Sequence, residues 1–173
     1  MKNIWPRPIS TGTKDLTRKI DKGDKLITKL RNVEESIMTG YWLLKTEPSE
    51  YSWEDLLKDK KAVWEGVKAP AALKNLSRMK EGDLCFIYHT GKERAILGTA
   101  RVVGMPYPDP LERDPRRLVV DVVPVKSLER PVTLKEIKEK AQFDDWELVR
   151  QPRLSVVPVN QKQWDKILEW SEA

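Results

Sequence analysis

Apolar patterning becomes regular at Tyr41. Tyr41-Trp42-Leu43-Leu44-Lys45-Thr46 reads as a short strand, and Pro48 stops it. Alternation puts Tyr41, Leu43 and Lys45 on one face. Lys45 thus stands in register with apolar neighbours at a strand end, where a pocket mouth could hold it. Ser52 caps a helix whose apolar stripe is Trp53, Leu56 and Leu57. The chain extends again through Ala62-Val63-Trp64 and stops at Gly66. Pro70 suits the first turn of a helix running to Met79, with Leu73, Leu76 and Met79 buried. Gly82-Asp83 is a turn, and Leu84–Thr90 (LCFIYHT) is the clearest strand, with Leu84, Phe86 and Tyr88 facing away from Cys85, Ile87 and His89. Ala95–Val103 is another strand, and Gly98 inside it predicts a bulge or a sharp bend. Met105–Pro115 is a proline-rich loop. Leu118–Val123 is strongly β, and Val125 extends it past Pro124. Thr133 caps a short helix through Lys140, and Leu154–Val157 is a last strand. Asn160 caps a terminal helix with Trp164, Ile167, Leu168 and Ser171 on one stripe. About six short strands with short helices between them predict an α+β domain with a curved or closed mixed sheet.

Residues 1–37 are patterned differently. Leu26, Leu30, Val33 and Ile37 keep the spacing of an amphipathic helix, Gly23 interrupts the pattern upstream, and Trp5-Pro6-Arg7-Pro8 reads as extended. Met38 stands just before the first strand and could itself be the start, which would make the leader an artefact of how the gene was delimited. The expected division is a basic extension over 1–37 and a folded domain over 38–173.

Charge sharpens this division. The net +5 comes from 32 Lys+Arg against 27 Asp+Glu. Residues 1–37 hold 9 against 5, or +4, and the remainder holds 23 against 22, or +1. A nearly neutral body does not suit a protein that coats nucleic acid through phosphate contacts alone, and does suit local capture of one group. The single cysteine excludes an internal disulfide and fits a reducing compartment. No apolar run approaches the ~20 residues of a membrane helix, so a cytoplasmic protein is expected, or a nuclear one in a eukaryote.

Signatures of catalysis are sparse. No nucleophile elbow, P-loop or dinucleotide glycine pattern occurs. Cys85 and His89 share a strand face, but four residues of strand separate them by roughly 13 Å, too far for a thiol–imidazole pair. They cannot close a zinc site alone. The bland reading of Cys85 is a small core residue. Trp53 falls on a buried stripe, whereas Trp64 ends a strand beside Gly66 and could either stack on a flat base or pack in the core. Tyr88, His89 and Thr90 end a strand with three hydrogen-bonding groups, although a lone His is more often a satisfied structural group. Arg150 and Arg153 could meet a phosphate or could simply be solvated.

Five blocks of residues resemble the EVE domain family, that of the thymocyte nuclear proteins. They are Tyr41–Ser49 (YWLLKTEPS), Trp64–Lys68 (WEGVK), Met79–Thr90 (MKEGDLCFIYHT), Tyr107-Pro108-Asp109 and Leu148–Pro158 (LVRQPRLSVVP). The resemblance implies a PUA-like fold, a small mixed β-barrel with helices at its openings. It also implies a pocket for a single, often modified, nucleobase. Carried over by position, that pocket would involve Lys45, Thr46, Glu47, Pro48, Ser49, Trp64, Gly66, Val67, Lys68, Tyr88, His89, Thr90, Leu154 and Ser155, with Trp53 a further candidate. The chain departs from the family pattern at Ala69, where Asn is usual, and at Thr90, where Ser is common.

These residues predict a monomeric, non-catalytic module, without metal or cofactor, that takes a flipped or unpaired modified base of DNA or RNA. Trp64 would stack, Lys45, Ser49 and His89 would read the base edge, and Arg150 or Arg153 would meet phosphate. Two rivals stay open: a binder of a free nucleoside or cofactor fragment, and an enzyme using Glu47 or His89 as its acid–base group.

Overall fold

The structure, a computed structural model, describes residues 7–8, 25–27, 29–30 and 39–173. It divides into two compact units, one formed by Met1–Ile9 with Gly40–Ala173 and the other by Ser10–Thr39. In the smaller unit residues 25–27 and 29–30 are helical, as their spacing predicts, while Val33 and Ile37 lie outside the described residues.

In chain order the larger unit holds β1 (Arg7–Pro8), β2 (Tyr41–Thr46), α1 (Trp53–Asp59), β3 (Ala62–Trp64), α2 (Pro70–Leu76), β4 (Leu84–His89), β5 (Ala95–Val102), β6 (Tyr107–Pro108), β7 (Leu118–Thr133), α3 (Leu134–Glu139), α4 (Glu147–Arg150), β8 (Val156–Val159) and α5 (Gln161–Ser171). The sheet order is β1-β3-β7-β5-β4-β2-β8, with β6 paired to the start of β7. Every neighbouring pair is antiparallel except β2 and β4, which run parallel one strand in from the β8 edge. Helix α2 packs against both β7 and β8, strands far apart in that order, so the sheet must curl around it. The expected α+β architecture of a curled mixed sheet with short helices is what the chain adopts.

Local chemistry explains most boundaries. Ser52 and Asp55 form a capping box on α1, each side chain bonded to the other's backbone N–H. Asn160 and Gln163 do the same for α5, and Pro70 occupies the first turn of α2. The bend expected at Gly98 exists as shifted register on both sides of β5. A Cβ at Gly98 would lie 2.3 Å from the Trp53 ring, so glycine is what admits that indole.

Several expectations need correction. Helix α2 ends at Leu76 rather than Met79, though Met79 stays buried in the turn that follows. Leu57 is exposed instead of joining the α1 stripe. Strand β7 runs unbroken through Pro124 and Pro131, because its partner β5 shifts register nearby. Strand β8 begins two residues late, since a turn from Gln151 to Leu154 and the helix α4 occupy the approach. Arg7–Pro8 pairs antiparallel with Ala62–Val63, so part of the leader completes the sheet edge.

The parallel pair is tied at its base by Asp83, a buried carboxylate. Asp83 accepts from the Gly40 N–H at 2.9 Å, the Trp42 Nε1 at 2.8 Å and the Lys80 N–H at 2.9 Å. This clamp fixes where β2 begins beside β4 and therefore which residues meet at its far end.

Candidate functional site

At that far end, Lys45 lies opposite Tyr88 and Thr46 opposite His89. Parity then separates them. Tyr41, Phe86 and Trp164 stack along the face that carries Lys45 and Tyr88, with ring centroids 4.7 and 4.0 Å apart. Beyond this stack the same face opens into a cavity of about 240 Å³ lined by Lys45, Tyr88, Thr90 and Gly91, by Arg94 and Lys138, and by Leu134, Leu148, Val149 and Pro152. The Lys45 ammonium donates to the Pro152 carbonyl at 2.9 Å and sits 5.7 Å from the centre of the Tyr88 ring. The Lys45 N–H donates to the Ser155 carbonyl at 3.0 Å, which brings the Leu154–Ser155 stretch alongside.

Burial governs titration here. It pushes the Tyr88 phenol up to about 12, against a small opposing pull from the Arg94 charge. Burial also pushes the Lys45 ammonium from 10.5 down to about 8. The unfolded chain therefore holds that proton more tightly than the folded one, and stability rises with pH between about 8 and 10.5. At pH 7 the ammonium is charged in both states and its burial is a standing cost. Lys45→Met should accordingly stabilise the fold at pH 7 by on the order of 1–2 kcal/mol, the Pro152 carbonyl being exposed enough to take water instead. The gain should shrink toward pH 10.5, and denaturant melts showing a loss at pH 7 would contradict it.

The opposite face holds a different group. Thr46 Oγ1 donates to the Tyr51 carbonyl at 2.7 Å. His89 is 2% exposed; its Nε2 accepts from the Trp53 N–H at 2.8 Å, and its Nδ1 faces Glu93 at 2.8 Å. Trp53 Nε1 donates to Ser127 at 3.0 Å. His89 thus has both nitrogens engaged in holding the start of α1 and has none to offer a base. That is a correction to its role as an edge reader, and its cause is the strand parity that turns it away from Lys45.

Trp64 needs the same correction. It is 1% exposed, its strand pairs with Val120, and it presents no open face for stacking. Val67 is buried with it, while Gly66 and Lys68 stay exposed. Gly66 adopts φ 79°, a conformation that favours glycine, and the Lys68 carbonyl accepts from Arg117 at 3.0 Å. Arg150 is paired with Asp145 at 3.3 Å, and Arg153 is exposed; neither lines the cavity.

A polar corner adjoins the cavity. Thr90 Oγ1 donates to Glu47 Oε2 at 2.7 Å, and Ser49 lies 3.4 Å from Glu47 Oε1. A Cβ at Gly91 would come within 3.0 Å of that carboxylate, so glycine permits its approach. Pro48 and Ser49 form the turn that carries Glu47 there. Arg94 and Lys138 went unread in the sequence, and no motif marks them. Leu148, Val149 and Pro152 stand inside the Leu148–Pro158 block and were legible there as neighbours of the arginines. Among the described residues no group of three metal-ligating side chains occurs, and no helix is long and apolar enough to cross a membrane.

Comparison with known proteins agrees with this architecture. The mouse thymocyte nuclear protein 1 is 31% identical to this chain over 169 residues, covering 78% of this chain and 75% of that protein. A Rhodopseudomonas palustris protein solved by NMR superposes with a TM-score of 0.74 at 32% identity, covering 78% of this chain and 94% of its own. The human THYN1 protein, solved in complex with DNA containing 5-methylcytosine, gives 0.70 at 29% identity, covering 78% of this chain and 99% of that one. The EVE domain profile matches residues 40–170, and the chain belongs to the EVE domain family.

Proposed function

We propose that this chain is a non-catalytic nucleic-acid-binding module that holds a modified nucleobase at the corner where β2 and β4 end. The observation that carries the reading is its likeness to the human THYN1 protein, which was solved on DNA containing 5-methylcytosine. The corner has suitable chemistry. A carboxylate such as Glu47 accepts from the exocyclic amino group of cytosine, and the Ser49 and Thr90 hydroxyls beside it can bond either way. Gly66, Lys68, Leu154 and Ser155 remain in the proposed surroundings of the base, with Ala69 bringing no amide to it. The module acts as a monomer without a cofactor, in the cytoplasm or, as the name of its relatives suggests, in a nucleus.

The absence of chemistry in this reading is supported by the state of its two candidate reactive groups. Cys85 is wholly buried, and burial, with the Asp83 charge second, pushes its thiol well above the usual range. His89 is occupied at both nitrogens.

Titration of the full chain with matched single-stranded and duplex oligonucleotides tests the proposal. One cytosine is either plain or 5-methylated. The methylated strand should bind at least about five-fold tighter, and affinity should fall steeply with salt as phosphate contacts predict. Equal binding of both strands would overturn base recognition. Salt-insensitive binding of a free nucleoside would favour a small-molecule site.

A further inference from the structure

We propose that the cavity at Lys45 is a phosphate site, with Lys45 and Tyr88 on its floor and Arg94 and Lys138 at its mouth. It takes a phosphate of the nucleic acid whose base sits at Glu47, and in that one respect it rests on the function proposed above. The ionisable lining is cationic throughout: three cations, one phenol and no carboxylate. Tyr88 is 3% exposed, yet its hydroxyl makes no hydrogen bond to any described residue. Buried polar groups are nearly always paired, so this hydroxyl is positioned for something that enters the cavity. Lys45 is 6% exposed and spends one of its three donors on Pro152, with no carboxylate partner among the described residues. Arg94 donates only to the Gly91 carbonyl, at 3.2 Å, and Lys138 has no ion pair among the described residues.

Four donor groups from separate elements therefore converge without an anionic partner among the described residues, Lys45 and Arg94 each spending one donor on a backbone carbonyl. Leu134, Leu148 and Val149 wall them in, and a low local dielectric strengthens what they offer. A volume of about 240 Å³ lies below that of ordinary small-molecule pockets, about 300–1,000 Å³, and suits a compact anion. A phosphate presents three or four charged oxygens spread in three dimensions to groups arriving from four separate elements, whereas a carboxylate presents two oxygens in one plane. Arg150 and Arg153 are left with surface roles.

Calorimetric titration of the full chain with inorganic phosphate, and then with the methylated oligonucleotide, tests the site. The double variant Arg94→Ala with Lys138→Ala removes only exposed side chains, and should weaken phosphate binding at least tenfold. It should also flatten the salt dependence of oligonucleotide binding by about one unit of slope. Tyr88→Phe should leave the melting temperature unchanged while weakening phosphate binding several-fold, which a merely structural tyrosine would not do. Arg150→Ala and Arg153→Ala should change phosphate binding little. Absent phosphate binding, or binding unaltered in both cavity variants, overturns the site. If the oligonucleotide still binds with its preference for the methylated base, base recognition survives that failure. Phosphate binding without oligonucleotide binding keeps the anion site and assigns it to free phosphate compounds, removing the nucleic-acid reading.

Discussion

Trp64→Ala should cost about 3–5 kcal/mol of folding stability, the usual effect of truncating a buried large aromatic. The indole is among the largest fully buried side chains of the domain, at the end of a strand whose pairing with β7 fixes its position. Removing it leaves a cavity that a curled sheet held by neighbours on both sides cannot collapse. Trp64→Phe retains part of the volume and should lose about half as much. Denaturant melts and oligonucleotide titration on the same samples decide the matter. An alanine variant that melts like the parent but no longer binds would return Trp64 to the role of a stacking face.

An effect of similar size is expected at Asp83. Asp83→Ala strands three donors, the Gly40 N–H, the Trp42 indole and the Lys80 N–H. Each buried donor left unpaired costs about 1–3 kcal/mol, less when neighbours relax together, so a total of about 3–5 kcal/mol is expected. Asp83→Asn keeps one carbonyl oxygen and should fall between. A loss below about 1 kcal/mol in thermal melts would mean that water reaches the clamp. The same carboxylate explains Gly40, where a Cβ would lie 2.9 Å from Asp83 Oδ2.

The parts of the fold that were legible in the sequence are those set by local signals. Both edges of Tyr41–Thr46 and of Ala62–Trp64 follow from alternation and from the prolines and glycines around them. Ser52, Thr133 and Asn160 announce their helices by capping chemistry, which is read within three residues. Pairing across the sheet was out of reach. The Gly82-Asp83 turn shows its geometry in sequence, but the three donors that Asp83 gathers include two from residues some forty positions earlier. The candidate site divides the same way. Lys45, Tyr88 and Thr90 were found because they end strands. Arg94 and Lys138 reach the cavity from a loop and from a helix with no motif of their own. Trp64 and His89 were overrated because a strand end is visible in sequence, whereas which side of the curled sheet is covered is not.

The parallel pairing of β2 with β4, together with the antiparallel pairing of β2 with β8 on its other side, has a consequence for synthesis. β4, β5 and β7 are joined by antiparallel neighbours and can associate as soon as they leave the ribosome. β2 emerges long before them, yet its partner β8 lies far further along the chain than β4. The bond from Lys45 to Pro152 spans 107 residues, so the cavity cannot exist until almost the whole domain is out. A nascent chain paused before Leu148 would hold most of its sheet without the far wall of the cavity, and recognition switches on only once Leu148–Pro152 has emerged.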